Sequence, residues 1–326
     1  MGCKERGRLL PCRSSWGSGG ILLLLLFTAA EAFSVGVGPD ANRKARILVL
    51  GGTGFVGGKV CDEAAAAGMD VVAFSRRGRP KEETTAARAD ERHPGSITWK
   101  AGDAASPKDL EDLFRGDQFD AVVHAIGLLL DSESGFVDLN KLASGSGSVP
   151  SASSTYDRVT RQTALGALEK FHIHIANRKE EGSPLPGFPF LFISAAEAGW
   201  PDVPLGPQIE SIAPPFLVKY LKAKRAVEFE MEAMNRKRAM GGGGIKSPLP
   251  RCVIFRPSLV WTPSRPQALL SVGPFYVGNA LGVPFVDRPV TVEALAQAVT
   301  AAARLEEVQG VQRFPEIDKL SGQVSQ

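Results

Sequence analysis

The 326-residue sequence has few cysteines and almost no excess charge. Cys3 and Cys12 lie at the N-terminus, and neither Cys61 nor Cys252 stands in a C-x-x-C pair or near a histidine at metal-ligand spacing. A disulfide framework is therefore not predicted, and Cys61 and Cys252 are interpreted as small buried apolar groups. A formal charge of +3, without a basic block interleaved with aromatics, argues against a nucleic-acid partner.

Long hydrophobic runs are also lacking, because no stretch approaches the ~20 apolar residues of a membrane-spanning helix. The short run Ile21–Phe27 follows basic residues and precedes Ala30-Glu31-Ala32, a pattern typical of a signal peptide cleaved near residue 32. The basic stretch that follows fits a transit peptide, so residues 1–45 are predicted to be a targeting leader. A bipartite leader of this kind favours a plastid. A mitochondrial presequence and a simple secretory leader remain alternatives.

From residue 46 onward, short β-branched runs alternate with helical patterns. The runs predicted to be strands are Arg46–Leu50, Val71–Ser75, Ile97–Ala101, Ala121–Ala125, Phe188–Ser194 and Cys252–Pro257. The predicted helices are Val56–Gly68, Pro107–Leu113, Tyr156–Arg178 and Phe216–Met240. Strict alternation predicts parallel strands joined by right-handed crossovers, hence an α/β fold with a doubly wound parallel sheet, the Rossmann fold. We expect residues 46–326 to form a single domain of this type.

Three long irregular segments each follow the end of a predicted strand, at the edge where open α/β sheets bind ligands. Leu128–Thr155, rich in Ser and Gly, is predicted to be mostly disordered. Gly199–Pro215 and Thr262–Pro289 are predicted to form a small cap on the substrate side. The apolar residues of Thr262–Pro289 suit an apolar ligand, or a docking face for a membrane or partner, and equally a closed local core.

The most specific motif is a glycine loop that follows the first predicted strand at once. Residues Gly51 to Gly57 contain G-x-G-x-x-G, between a buried strand and a predicted helix. Such a turn lets the backbone approach a pyrophosphate, which the N–H groups of the helix N-terminus then hold. The loop therefore predicts a dinucleotide site.

The residues after the second predicted strand indicate which dinucleotide binds. An acidic residue there would hydrogen-bond the ribose 2′-hydroxyl of NAD, but the sequence has Ser75, Arg76 and Arg77. Guanidinium groups suit the 2′-phosphate of NADP, so NADP(H) is favoured over NAD(H). The alternative is that both arginines are solvated loop residues. Asp103, after the third strand, is placed to contact the adenine edge.

Several segments together resemble the extended and atypical short-chain dehydrogenases/reductases. They are the glycine loop, Val123–Gly127, Phe192–Ala196, Tyr220–Glu228, Phe255–Ser258 and Pro289–Ala296, in the order that the family has them. The chain is most similar to the group that contains the nucleotide-binding accessory subunit of respiratory complex I and a ubiquinone-biosynthesis protein. With the motifs above, this resemblance implies cofactor contacts at Gly51, Gly52, Thr53, Gly54, Phe55, Val56, Gly57, Ser75, Arg76, Arg77, Asp103, Ala104, Ala125, Ile126, Gly127, Lys224 and Pro257.

The resemblance also implies a catalytic pair, because Tyr220 and Lys224 form the family's Y-x-x-x-K motif. Tyr220 would act as general acid/base, and Lys224 would hold the nicotinamide ribose. Residues i and i+4 share a helix face, so we expect the ammonium to lower the phenol pKa below ~10. The alternative is a half-buried Tyr220 beside a solvated Lys224.

One departure from the family pattern concerns the hydroxyl that shares the substrate oxygen with the tyrosine. Catalytic members carry Ser or Thr two residues beyond Ser194, where this chain has Ala196. Ser194 substitutes from a shifted register, or turnover is slow, or the site is a sensor. His172 and His174 lack a nearby third ligand, so no metal site is predicted, and His124 is expected to be a satisfied core histidine.

Two hypotheses follow from the sequence. One is an NADP(H)-dependent oxidoreductase acting on an apolar carbonyl, quinone-like or isoprenoid-type compound. The other is an NADP(H)-binding accessory subunit without turnover, which stabilises a membrane-associated assembly related to quinones or lipids.

Overall fold

Strands and helices alternate along the chain in the order that the sequence pattern predicts. The computed structural model describes residues 43–79, 94–127, 155–178, 183–241, 248–264 and 269–323, which belong to one compact unit spanning residues 38–326. The predictions for most of the leader 1–45 and for nearly all of Leu128–Thr155 lie outside the described residues. In the described part of the chain, no helix is both long and apolar enough to cross a membrane.

The strands are β1 (Arg46–Leu50), β2 (Asp70–Ser75), β3 (Ile97–Ala101), β4 (Ala121–His124), β5 (Pro189–Ile193), β6 (Arg251–Phe255), β7 (Val260–Trp261), β8 (Val290–Thr291) and β9 (Gly310–Gln312). Seven of them form a parallel sheet in the order β3-β2-β1-β4-β5-β6-β9, and β7 pairs with β8 separately. The chain leaves one edge after β3 and restarts beside β1, which creates a switch point between β1 and β4. The predicted doubly wound sheet is confirmed.

The helices are α1 (Phe55–Ala66), α2 (Pro107–Gly116), α3 (Thr163–Asn177), α4 (Gly206–Ser211), α5 (Pro215–Ala239), α6 (Leu269–Ala280), α7 (Val292–Arg304) and α8 (Phe314–Gln323). A π-helical turn, Asp157–Gln162, leads into α3, and a 3₁₀ segment, Ala196–Asp202, follows β5. Capping residues set two of the starts, because Ser106 and Thr291 accept hydrogen bonds from Asp109 and Ala294 N–H groups.

The sheet is covered on both faces, which explains why its strands are almost continuously apolar. On one face, side chains such as Val49 and Leu191 belong to the same buried cluster as Val60 of α1 and Leu295 of α7. On the other face, the cluster contains residues of α2, α3 and α5. Each fully buried aliphatic or aromatic side chain contributes about 1.5–3 kcal/mol. Cys61 and Cys252 are free thiols buried in these clusters, as predicted.

The cap and the C-terminal part of the chain differ from the sequence predictions. Gly199–Pro215 and Thr262–Pro289 were expected to be irregular loops, but they contain α4 with part of the 3₁₀ segment, and α6. Pro274 lies inside α6. Strand β9 was not predicted because it has only three residues. Helices α7 and α8 were not predicted either.

Candidate functional site

The glycine loop turns the chain sharply from the end of β1 into α1. Gly51 has a φ of 86°, which favours glycine, and its N–H donates to the Phe74 carbonyl at 2.9 Å. The Gly54 N–H then donates to the Gly51 carbonyl at 2.8 Å, and α1 begins at Phe55. The first turn of a helix has N–H groups without intrahelical acceptors, so the loop directs several donors toward the switch point.

Two of the loop glycines have packing roles. A Cβ on Gly57 would lie 2.2 Å from the Gly51 carbonyl oxygen, and one on Gly52 would lie 2.7 Å from the Ala73 Cβ. Gly52 and Gly57 do not line the cavity described below, although both were predicted to contact the cofactor. They instead allow α1 to approach the loop and β2 closely.

A single cavity of about 1040 Å³ runs from the glycine loop to the cap. It brings together residues from the carboxyl ends of β1 to β6, as expected of an open α/β sheet. The predicted site residues that line it are Gly51, Thr53, Gly54, Phe55, Val56, Ser75, Arg76, Arg77, Asp103, Ala104, Ala125, Ile126, Gly127, Ser194, Tyr220, Lys224 and Pro257.

One end of this cavity, which we call the arginine end, is lined by Arg76, Arg77, Asp103 and Arg158. Arg76 and Arg77 are exposed, and neither forms an ion pair with an acidic residue in the described part of the chain. The Asp103 carboxylate accepts from the Ala105 N–H at 3.0 Å and lies 3.6 Å from the Arg158 guanidinium. Arg158 comes from the π-helical turn before α3, and the sequence analysis missed it because no motif marks that turn. The arginine end therefore carries three guanidinium groups and one carboxylate.

Lys224 is almost completely buried at the centre of the cavity wall. Its ammonium donates to the Ile193 carbonyl at 2.5 Å and lies 4.7 Å from the centre of the Phe192 ring. Burial lowers the Lys224 pKa to about 7, and the Glu228 carboxylate opposes this shift. The alternative of a solvated lysine is therefore wrong.

Tyr220 has a raised pKa, whereas the sequence analysis predicted a lowered one. Burial is the main cause, followed by the negative charge of Glu197 and then by Tyr156 and Glu228. The Lys224 ammonium lies 5.5 Å from the centre of the Tyr220 ring, but it is desolvated and bonded to a backbone carbonyl. In the protein without ligand, Tyr220 is therefore a neutral proton donor.

The Ser194 hydroxyl is not free to donate a hydrogen bond to a substrate oxygen, which is the role considered for it from the sequence. It donates to the Glu228 carboxylate, which also accepts from the Arg256 guanidinium at 2.7 and 3.2 Å. Ser194 is only 4% exposed, although it borders the cavity. Its proton is therefore engaged by a charged acceptor, and Ala196, which also lines the cavity, has no hydroxyl to offer.

His124 behaves only partly as predicted. It is fully buried, and its Nε2 lies 2.8 Å from the Thr163 hydroxyl, but its Nδ1 has no hydrogen-bond partner among the described residues. Burial, assisted by Lys224, lowers the His124 pKa to about 3. His172 and His174 do not line the cavity, and His174 Nε2 accepts from the Phe119 N–H at 3.1 Å.

The other end of the cavity, which we call the cap end, is mainly apolar. The Trp200 indole N–H donates to the Phe285 carbonyl at 3.1 Å and so joins the two predicted cap segments. The apolar lining residues here are Trp200, Ile209, Leu217, Phe275, Phe285 and Val286.

Two carboxyl groups, Glu197 and Asp287, also line the cap end, and the sequence analysis missed both. Asp287 is paired with Arg313 at 2.6 Å. Burial, and then the charge of Asp287, raise the pKa of Glu197. No sequence motif marked these residues, because Asp287 lies in the predicted cap segment Thr262–Pro289 and Glu197 lies just before the predicted cap segment Gly199–Pro215.

The strand order, the glycine loop and the cavity at the switch point define a doubly wound Rossmann fold with an open site at the carboxyl ends of its strands. Residues 47–144 match the NAD dependent epimerase/dehydratase family, which confirms the resemblance seen in the sequence.

Two curated relatives share parts of the sequence. MIOREX complex component 2 of Saccharomyces cerevisiae is 29% identical over 206 residues, covering 59% of this chain and 68% of that protein. An uncharacterized chloroplastic protein of Arabidopsis thaliana is 41% identical over 58 residues, covering 18% of this chain and 17% of that protein.

Solved structures share the fold at low sequence identity. An alcohol dehydrogenase from the archaeon Thermococcus sibiricus, complexed with 5-hydroxy-NADP, has a TM-score of 0.52 at 12% identity, covering 83% of this chain and 96% of that one. An NADPH-bound variant of ElxO has a TM-score of 0.53 at 15% identity, covering 87% and 100%. An NADH-dependent reductase, A1-R', complexed with NAD, has a TM-score of 0.51 at 15% identity, covering 83% and 95%.

Proposed function

We propose that the chain is an NADP(H)-dependent oxidoreductase that acts on an apolar carbonyl, quinone-like or isoprenoid-type compound. The observation that carries this proposal is the single cavity in which Tyr220 and Lys224 lie between the glycine loop and the apolar cap end. A cofactor and an apolar substrate could therefore meet beside a neutral proton donor.

The residues present fit a dinucleotide. The positive φ of Gly51 and the 2.2 Å approach of a Gly57 Cβ to the Gly51 carbonyl mark a backbone turn without room for side chains. The N-terminus of α1 would hold the pyrophosphate, and Asp103 would receive the adenine edge. Arg76 and Arg77 support NADP(H) over NAD(H), because a 2′-phosphate would find two exposed guanidinium groups there.

The chain's own residues would each have a defined task in the reaction. When bound, a nicotinamide cofactor supplies or accepts a hydride. Tyr220 would donate a proton to the substrate oxygen in reduction and accept it back in oxidation. Lys224, held by the Ile193 carbonyl, would position the ribose side of the site, and the cap end would exclude water.

Replacing Tyr220 with phenylalanine tests the proposal. The full chain is titrated with NADPH and NADH by calorimetry, and then assayed with NADPH and a panel of quinones and apolar aldehydes and ketones. We expect tighter binding of NADPH, turnover of at least one quinone or apolar carbonyl, and a loss of turnover in Tyr220→Phe at unchanged NADPH affinity. Failure of the wild type to bind either dinucleotide would refute the whole proposal.

A second candidate function is an NADP(H)-binding accessory subunit without turnover. Two observations favour this function. Ser194 donates its hydroxyl proton to Glu228 and Ala196 has no hydroxyl, so neither residue can donate the hydrogen bond to the substrate oxygen that catalytic members of the family supply. The yeast relative is named as a component of a complex, which also suits a subunit role. Purification of the tagged full chain from its native cells distinguishes the two, because a subunit would co-purify with stoichiometric partners, lipid or quinone, and Tyr220→Phe would have no phenotype.

We also propose that the protein acts in an organelle, with a plastid favoured and a mitochondrion as alternative. The leader-like residues 1–45 support this, as does the chloroplastic relative. Residues 46–326 would then be the mature single domain. Microscopy of the full chain with a C-terminal fluorescent tag, together with N-terminal sequencing of the mature protein, tests the location and the processing site.

A further inference from the structure

Neither of the two residues considered for the family's hydroxyl role, Ser194 and Ala196, offers a hydrogen-bond donor to a reacting oxygen beside Tyr220. Ala196 has no hydroxyl, and the Ser194 hydroxyl donates to Glu228. The Glu228 carboxylate is held in turn by Arg256, so Ser194 could turn to a substrate only by leaving a charged acceptor. A donor from another residue is required if an oxygen is to be stabilised beside Tyr220.

Glu197 is placed where such a donor would act. Backbone hydrogen bonds between the segments of β5 and β6 continue beyond the ends of these strands. The Ser194 and Ala196 N–H groups donate to the Phe255 and Pro257 carbonyls at 2.7 and 2.8 Å. Glu197 follows directly and lines the cavity together with Pro257 and Tyr220.

The backbone of Glu197 is held in place by Arg225. The Arg225 guanidinium donates to the Glu197 carbonyl at 3.3 Å and to the Ala198 carbonyl at 2.9 Å. The same guanidinium forms two hydrogen bonds of 2.7 Å to the Glu210 carboxylate. Arg225 is thereby committed to Glu210 and to backbone carbonyls. The Glu197 carboxyl group interacts instead with its own backbone N–H, and Glu197 lines the cavity.

The charges around this carboxyl disfavour its ionised form. Burial is the largest cause of the raised pKa of Glu197, and the charge of Asp287, which is paired with Arg313, adds to it. A hydrogen bond from the Glu197 backbone N–H opposes this shift without cancelling it. The raised pKa of Tyr220 keeps its phenol neutral, and the Glu228 carboxylate is ion-paired with Arg256. Of the cations near this wall, Lys224 donates to the Ile193 carbonyl and has a pKa of about 7, and Arg225 is ion-paired with Glu210.

We propose that Glu197, as a neutral carboxylic acid, donates a hydrogen bond to the same substrate oxygen that Tyr220 protonates, and so replaces the absent Ser or Thr hydroxyl. The inference rests on the proposed oxidoreductase function. In reduction the carbonyl carbon gains the hydride that NADPH supplies, and the oxygen gains the Tyr220 proton, which solvent restores. Glu197 keeps its own proton throughout.

A spectroscopic measurement tests the protonation state without turnover. Infrared difference spectra of the wild type and Glu197→Gln, recorded near neutral pH in the presence and absence of NADPH, should show the C=O stretch of one protonated carboxylic acid that the variant lacks. Absence of this band in both states would overturn the inference. Asp287→Asn is the control, because Asp287 is ion-paired and should contribute no protonated band.

Kinetic variants test the role of the donor, with 9,10-phenanthrenequinone and NADPH as the probe reaction. Glu197→Ala should lower kcat by roughly 10²-fold, as the loss of one oxyanion donor typically does, at unchanged NADPH affinity and thermal stability. Glu197→Gln should keep most of the activity, because its amide donates, and should lose the alkaline fall in kcat that Glu197 ionisation causes. Adding Ala196→Ser to Glu197→Ala should restore part of the rate.

The outcomes separate this inference from the proposed function. A wild type that binds NADPH but reduces neither this quinone nor any carbonyl of the panel refutes the proposed turnover, and the inference with it. A wild type that turns over while Glu197→Ala keeps full activity refutes the inference alone. An equal loss in Ser258→Ala, whose hydroxyl also borders the cavity, without loss in Glu197→Ala would assign the donor to Ser258 and likewise overturn it.

Discussion

Replacing Gly57 with alanine tests whether the glycine loop requires a bare backbone for close packing against α1. The added Cβ would lie 2.2 Å from the Gly51 carbonyl oxygen and 2.8 Å from its carbonyl carbon. Ordinary contacts between such atoms are about 3.5 Å, so the loop and the helix would have to separate by roughly 1 Å. Both contacting atoms belong to the backbone, and no side-chain rotation can relieve the overlap.

The neighbouring residue Gly58 provides a matched control. Its added Cβ would lie 3.4 Å from the Gly52 carbonyl oxygen, an ordinary contact. Both substitutions gain up to about 1 kcal/mol of helix propensity, so the difference between them isolates the overlap. Overpacking typically costs about 1–3 kcal/mol, and we expect Gly57→Ala to be less stable than Gly58→Ala by that amount in urea unfolding.

Cofactor binding should separate the same two variants. A shift of α1 moves the N–H groups of its first turn, and charge-assisted hydrogen bonds contribute about 1.5–3 kcal/mol each. Calorimetric titration should therefore show at least a tenfold loss of NADPH affinity, about 1.4 kcal/mol, in Gly57→Ala and little change in Gly58→Ala. Equal stability and equal NADPH affinity of the two variants would refute the close-packing explanation of the glycine loop.

Three further predictions concern the cavity. Replacing Arg76 and Arg77 together with alanine should weaken NADPH binding at least tenfold, because the contacts to the 2′-phosphate that contribute about 1.4 kcal/mol or more of binding free energy are lost. NADH binding should stay unchanged, and an equal loss for both dinucleotides would contradict this prediction. Lys224 binds its proton more weakly when folded, so the free energy of unfolding should rise with pH between about 7 and 10.5, and urea unfolding of Lys224→Met should lack this rise. Ser194→Ala removes a buried hydrogen bond to the charged Glu228 and should cost about 1.5–3 kcal/mol in urea unfolding, whereas unchanged stability would mean that this bond contributes nothing.

The parts of the fold that local patterns determine were predictable from sequence. The run Arg46–Leu50, the glycine loop and α1 follow from apolar character and backbone geometry within some twenty residues. Strand β9 was missed because a three-residue strand shows no periodicity, and helix α6 was missed because it contains Pro274, a residue that disfavours a helix interior. Pairing of β9 with β6 creates that strand, and no local signal precedes the pairing.

The site shows the same limit at the level of chemistry. The Tyr220–Lys224 spacing correctly placed both residues at one cavity, but it could not predict whether the Tyr220 pKa is raised or lowered. The direction of that shift depends on burial and on Glu197, which comes from the 3₁₀ segment after β5. The spacing of a motif fixes which groups can meet, whereas the charge each group carries depends on the desolvation and the neighbours that the rest of the fold supplies. A Y-x-x-x-K motif therefore predicts a proton donor only together with the residues that enclose it.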